Sequence, residues 1–400
     1  MTVAKLLQQL TRPSAPAFLA LFTLDTMARA VLITVLPLQA YTLLGDAQLV
    51  SVLYLVASAF GLCASLSVPW LVKAVGRRGA AICGSLCLAM AVVLFGVQAL
   101  WALPLGLILQ MFGGAAITIC LNLFVLDNVP KADLTRFEPN RMLLAGFGWM
   151  AGPYLGIVLS ERLSPWLPFA LSGAISLLLL GYLLLIGVPR ANDERKDSGT
   201  GTNPLSFVRR FFTQPRLTLA WLLSVGRSAW WNMFFIYAPI YAVETGLGKE
   251  AGGIITSVGS AGLFTVTFWG WVGRRNGIRW LLVLGYVATA VTSALAGLTM
   301  VWPYVGAALL IASAFAASIT DGPGNVPFLR AVHPHERARM TSVYSTYRET
   351  GRLSVPAVYS VILLVFPLSA VFIASGATML ILAHFSRYLP RRFGRDQRTA

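Results

Sequence analysis

Acidic residues are scarce in this chain. Asp and Glu together number 15 in 400 residues, against 31 Lys and Arg, and charged residues of both signs make up only 12% of the chain. Soluble domains carry about a quarter. Half that charge density leaves too little polar surface to wet a globule of this length, which excludes a soluble enzyme and, with the apolar content, a disordered chain. Cysteine is scarce as well: Cys63, Cys83, Cys87 and Cys120 all lie in apolar runs, with no CxxC pair and no His nearby. They read as small hydrophobes, not as metal or redox centres. The His333-Pro-His335 pair lacks further ligands, so no metal is expected. No Gly-rich phosphate loop, nucleophile elbow or zinc motif occurs, so neither ATP-driven nor hydrolytic chemistry is expected, no cofactor is called for, and the chain does not read as an enzyme.

What is plentiful is apolar sequence: 57% of residues are hydrophobic and the mean hydropathy is +0.72. Twelve stretches are long enough to cross about 30 Å of hydrocarbon as helices. They run over residues 14–43, 48–72, 79–98, 102–126, 140–163, 166–188, 217–245, 250–273, 279–299, 301–328, 338–366 and 368–389. The first is too long for a signal-peptide core. One long polar break, 190–216, falls near mid-chain. Its first part reads as a flexible linker and its second as an amphipathic surface segment, with Arg209 and Arg210 toward headgroups and Phe207, Phe211 and Phe212 dipping into lipid. The expected architecture is an all-α membrane protein with 12 transmembrane helices in two pseudo-symmetric six-helix bundles. The N-terminal bundle covers 1–189, a cytoplasmic linker 190–216, and the C-terminal bundle with its basic tail 217–400.

The net charge of +16 then reads as an orientation signal. With the N-terminus inside, the inner segments hold 25 of the basic residues and the outer loops only Arg162 and Lys249. This positive-inside bias predicts a multi-pass protein of a bacterial inner-membrane type of cell membrane, with both termini cytoplasmic. It also removes the case for nucleic acid as a partner.

The two halves repeat one another. At an offset of 203, Asn122 meets Asn325, Gly148 meets Gly351 and Pro153 meets Pro356; at 202, Pro37 meets Pro239; at 201, Gly76 meets Gly277. Duplication of this kind builds alternating-access transporters. With these features the chain resembles the major facilitator superfamily of secondary transporters, in particular its 12-helix efflux members. The family motif Gly-x-x-x-Asp-Arg-x-Gly-Arg-Arg between the second and third helices is met by Lys73-Ala-Val-Gly76-Arg77-Arg78 in its latter part and by Arg274-Arg275-Asn-Gly277 in the second half. These are the gating-loop residues that the resemblance implies. The motif's Asp, part of a latching charge network in the family, is missing from both copies, so Lys73 and Arg274 are expected to find Asp127, Asp133 or Glu336 instead. Gly148-Trp-Met-Ala-Gly152-Pro153-Tyr-Leu-Gly156 resembles the helix-five motif of drug–proton exporters. Its small residues at every fourth position also suit plain helix packing. The Arg that such exporters often carry in helix four is absent; Ile108 stands there.

Charges inside spans are costly and mark pathways. Asp25 and Arg29 share one face of the first span at i,i+4, and Arg227 is the repeat counterpart of Asp25. Since the first and seventh helices face a central cavity in the family, the resemblance implies an Asp25–Arg29–Arg227 cluster flanked by Trp230 and Trp231, the alternative being a structural salt bridge. Asn122 and Asn325 are expected to line the same cavity. In the tenth span, Gly322, Pro323, Gly324 and Pro327 should interrupt the helix and free carbonyls beside Asp321. Asp321 has no basic residue within four positions, so it reads as an unpaired carboxylate and the preferred proton carrier; the alternative is a solvated position near the cytoplasmic mouth. Glu349 can reach Arg352 and, with Asp25, completes the proton-coupling candidates, while Arg348 points elsewhere and is suited either to an anionic group or to a helix seam.

The expected function is a proton-coupled secondary transporter, an antiporter exporting a small organic solute, working as a monomer in the lipid bilayer with protons and the solute as partners. The alternatives are a uniporter or importer of an organic anion, or a non-transporting receptor or scaffold of the same fold.

Overall fold

The computed structural model describes residues 14–186, 204–333 and 336–390. Helices occupy every span expected from the sequence. The N-terminal spans are α1 (Ala15–Ala30) with α2 (Val35–Leu44), a continuous run α3 (Ala47–Gly96), α4 (Ala102–Asn128), α5 (Lys131–Val158) with a wider turn at Leu159–Leu163, and α6 (Leu167–Leu185). A short α7 (Pro204–Phe212) precedes the C-terminal spans α8 (Pro215–Glu244), α9 (Lys249–Ser260) with α10 (Val266–Asn276), α11 (Ile278–Leu298), α12 (Pro303–Asp321) with α13 (Val326–Ala331), α14 (Arg337–Ser345) with α15 (Tyr347–Ile362), and α16 (Ser369–Ser386). Ten stretches among the described residues are long and apolar enough to cross a membrane. The expected seventh and eleventh spans fall outside that set; they are α8, which carries Arg227, and α14–α15, which carries Arg348, Glu349 and Arg352. The chain divides into two compact units, Met1–Arg195 and Lys196–Ala400.

The helix boundaries follow local chemistry. Pro37 has no N–H to give and its ring crowds the carbonyl four residues back, so the first span loosens at 31–34. Its turns tighten there, with Leu32 bonding to the Arg29 carbonyl (3.2 Å) and Ile33 to that of Ala30 (3.3 Å). Gly76 divides α3 into the second and third spans, and its φ of 74° is one that only glycine adopts without strain. The repeat counterpart Gly277 takes a φ of 98° between α10 and α11. The duplication is therefore visible in backbone geometry.

The helix-five motif works as packing. A Cβ at Gly148 would sit 3.1 Å from Thr26, one at Gly152 would sit 2.6 Å from the backbone of Ala30, and one at Gly156 would strike the carbonyl oxygen of Val31. The absence of side chains lets α5 lie directly on α1 at its loosened turn. In the other unit, Gly351 of α15 meets Ser228 of α8 in the same way, 2.8 Å from a would-be Cβ.

Two expectations are corrected. The amphipathic α7 forms, but Phe211 does not dip into lipid. It is fully buried against Phe328 (ring centroids 6.5 Å apart), while Phe212 packs on Trp221 (5.2 Å) and Arg210 pairs with Glu336. The side chain of Phe207 lies outside the described residues. Apolar contact with the C-terminal unit removes more of the Phe211 ring from water than a surface position would, and that decides its orientation. The cysteines also differ from a uniformly buried set: Cys120 is buried, whereas Cys63 is exposed on α3.

Gly156→Ala forces a methyl into a carbonyl with no room to yield, and overpacking of this sort costs about 1–3 kcal/mol. We expect its thermal midpoint in detergent to fall, whereas Gly181→Ala, with nothing within 4 Å of the new methyl, leaves it unchanged or raised. Equal midpoints for the two variants would refute the packing role.

Candidate substrate and proton site

The densest polar constellation within the membrane-spanning helices lies in the C-terminal unit, where α8 crosses the break in the tenth span. The helix α12 ends at Asp321, residues 322–325 turn, and α13 resumes at Val326, as the Gly and Pro content predicts. Gly322 is required there because a side chain would meet Trp269 at 2.7 Å. The turn frees carbonyl oxygens beside the Asp321 carboxylate.

The side chain of Arg227 fills that site. Its Nε lies 3.2 Å from Asp321 Oδ1, and its Nη1 donates to the carbonyls of Thr320 (3.4 Å) and Gly324 (3.3 Å). The second carboxylate oxygen, Asp321 Oδ2, accepts from the Trp231 indole at 2.9 Å. The side chains of Arg227 and Asp321 are 11% and 20% exposed. The expectation of an unpaired Asp321 is thereby corrected. Counting neighbours within four positions misses a partner 94 residues away, delivered by α8. For the same reason Arg227, expected to join Asp25 and Arg29, has its counter-charge in its own unit.

Around this pair lies a shell of tyrosines. The Arg227 guanidinium stands 5.9 Å from the ring centre of Tyr347, and Arg348 stands 5.6 Å from the same ring while its Nε donates to the Tyr347 hydroxyl at 3.1 Å. Asn325 accepts from the Tyr344 hydroxyl (3.3 Å), which is also bonded to Ser224 (2.6 Å). Glu349 pairs with Arg352 at 3.2 Å, as its spacing predicts. Trp230 is corrected: it flanks no cavity but is 1% exposed, gives its indole N–H to Ser293 (3.0 Å) and stacks on Phe234 (5.2 Å). Trp231, next in sequence and about 100° further round the helix, is the one that turns to the site. Tyr344, Tyr347 and the carbonyls of Thr320 and Gly324 were not singled out by sequence. The available signal was two tyrosines at i,i+3 immediately before Arg348.

In the N-terminal unit Asp25 pairs with Arg29 of the same helix, which also donates through Nε to the Asp25 carbonyl (3.4 Å). Asp25 is 2% exposed and its Oδ1 has no hydrogen-bond partner. Arg29 lies against α4 at Gly114, where a Cβ would be 3.3 Å from its Nη1, and lines a narrow cleft with Gln110, Ser172 and Ser176. Asn122 is exposed on α4 and joins neither group.

The gating-loop expectation is also revised. Asp127 is taken by Arg77, not Lys73, and Glu336 by Arg210, not Arg274. Lys73 is exposed, Arg78 donates to the Leu184 carbonyl at the end of α6 (2.8 Å), and Arg275 stacks over Trp271 at 4.6 Å; the side chain of Asp133 lies outside the described residues. Arg77 follows directly on the Gly76 break and reaches Asp127 at the end of α4.

Apolar spans in two repeated units, each with an ion pair inside them, define a polytopic membrane protein. The chain belongs to the Major Facilitator Superfamily, whose family model matches residues 18–356. Its fold is similar to that of the nucleoside transporter NupG, with 16% identity, 93% of this chain and 98% of that one covered, and a TM-score of 0.72. It is also similar to a POT family transporter in complex with 5-aminolevulinic acid, with 12% identity, 92% and 94% covered, and a TM-score of 0.75. No curated protein matches the sequence.

Removing one member of a buried ion pair strands the other and costs about 3–5 kcal/mol, whereas removing both costs much less. Arg227→Met alone should therefore lower the thermal midpoint sharply, and adding Asp321→Leu should recover the part due to the stranded carboxylate, leaving the part due to the unmet carbonyls of Thr320 and Gly324. Additive losses in the double variant would disprove the pairing.

Proposed function

We propose that this transporter moves a small organic solute by alternating access, coupled to protons and in the direction of export. The observation that carries the reading is the Arg227–Asp321 pair at the break of the tenth span. Every contact to the carboxylate, from Arg227 Nε and Trp231 Nε1, is a donor that favours its ionised form. A proton arriving on Asp321 removes the charge that holds the guanidinium and weakens the link between α8 and α12. A proton leaving restores it. A charge change at a helix break thus biases the arrangement of two helices, which is what coupling requires. Asp25 and Glu349 are the further carboxylates of the proton path, each already beside an arginine.

Substrate contacts are assigned to Trp231, Asn325 and Arg348 in the C-terminal unit, and to Arg29 and Asn122 in the N-terminal one. Export is supported by the likeness of Gly148–Gly156 to the exporter motif. The similar folds are those of a nucleoside transporter and of a POT family transporter in complex with 5-aminolevulinic acid, which suits a small polar organic cargo. The boundaries of the working parts are taken as 1–189, 190–216 and 217–400, acting as a monomer with both termini in the cytoplasm of a bacterial-type inner membrane.

The test is proton flux in everted vesicles that carry the protein, followed with a pH-sensitive dye while a panel of organic solutes is added. The wild type should release protons with at least one solute. Asp321→Asn should lose at least nine-tenths of that solute-linked flux while keeping its helical circular dichroism. Unchanged coupling in Asp321→Asn would sink the proposal.

A further inference from the structure

We infer that Arg348, oriented by Tyr347, is the docking point for an oxyanion on the transported solute, so that the cargo is an organic acid. The inference deepens the transport reading and rests on it.

Beside the Arg227–Asp321 and Arg352–Glu349 pairs, α15 carries one further guanidinium, Arg348. Arg348 gives its Nε to the Tyr347 hydroxyl, and among the described residues its two terminal nitrogens meet no acceptor. It is exposed at the surface of α15, not folded into the bundle. It stands at the second residue of α15. A guanidinium fork with no acceptor is open to an anionic partner.

The geometry prepares it for one kind of partner. The Tyr347 hydroxyl fixes Nε, and the Tyr347 ring lies within cation–π reach of the guanidinium. What remains is the fork of two terminal nitrogens, which matches the two oxygens of a carboxylate or the edge of a phosphate. Arg227 does not compete, because Asp321 and two carbonyls already occupy it. Tyr347, however, touches both cations. An oxyanion on Arg348 therefore sits one ring away from the ion pair that takes the proton, so cargo and proton act on one connected group.

A soluble anion and an anionic lipid headgroup offer the same chemistry, and the experiment separates them. Full-length protein is placed in nanodiscs of phosphatidylcholine alone, or with phosphatidylglycerol. Binding of benzoate is compared with that of its neutral isostere benzamide by isothermal titration calorimetry. Benzoate should bind in phosphatidylcholine discs and benzamide at least tenfold more weakly. Arg348→Gln should weaken benzoate about tenfold without changing benzamide, Arg348→Lys should restore part of the loss, and Tyr347→Phe should cost a few-fold. The Tyr347→Phe variant keeps the test decisive should Arg348→Gln fail to fold. Equal binding of benzoate and benzamide, or no benzoate binding, overturns the inference. So does stabilisation by phosphatidylglycerol alone that Arg348→Gln abolishes. Anion binding without solute-linked proton flux would remove the transport reading and leave the anion site standing. Flux with a neutral solute only would do the reverse.

Discussion

A charge inside an apolar span must find its opposite, and the C-terminal unit is arranged around the place where Arg227 finds Asp321. The carboxylate ends α12, and the glycine and proline that follow it prevent the helix from satisfying its own last carbonyls. The Arg227 guanidinium answers both needs at once: it neutralises the carboxylate and donates to the carbonyls of Thr320 and Gly324. The broken helix and the buried arginine therefore depend on each other. A regular tenth helix would leave Arg227 with a charge partner but too few acceptors; without Arg227 the carbonyls of Thr320 and Gly324 would lose their donor.

The repeat makes the contrast between the units informative. Asp25 and Arg227 occupy equivalent positions with opposite sign. Asp25 takes its counter-charge from its own helix, so that ion pair ties α1 to nothing else, and α1 is held instead by the close approach of Gly148, Gly152 and Gly156. Arg227 takes its counter-charge from α12, so the pair is itself a link between helices. A change of protonation at Asp25 alters the solvation of one helix face. Asp321, by contrast, takes part in a contact between two helices. Two duplicated bundles thus hold similar charges in similar places with different mechanical consequences.

What sequence made legible follows from which interactions are local. The twelve spans, the break after Asp321, the Glu349–Arg352 pair and the matched glycines at 76 and 277 all rest on composition or spacing within a few residues. The family resemblance holds over residues 18–356. What escaped was tertiary. Asp321 looked unpaired because its partner is far away in sequence. Trp230 and Trp231 are indistinguishable as neighbours, yet one gives its N–H to Ser293 and the other to Asp321. Phe211 looked lipid-facing because an amphipathic pattern says only that a helix has an apolar side, not what covers it.

The burial of Phe211 also helps to support the polar site. Phe211 packs on Phe328, Phe328 stacks on Tyr344 with centroids 4.1 Å apart, and Tyr344 bonds to Ser224 and Asn325, which flank Arg227 and the turn after Asp321. The segment α7 is thus continuous by contact with the walls of the ion-pair site. Contact alone does not transmit anything; coupling needs an element with two arrangements that both ends can bias. At the turn after Asp321 the carbonyls of Thr320 and Gly324 are held by a side chain, Arg227, and not by a helix ladder. The carboxylate, the freed carbonyls and the aromatic stack thus meet within a few residues of one turn.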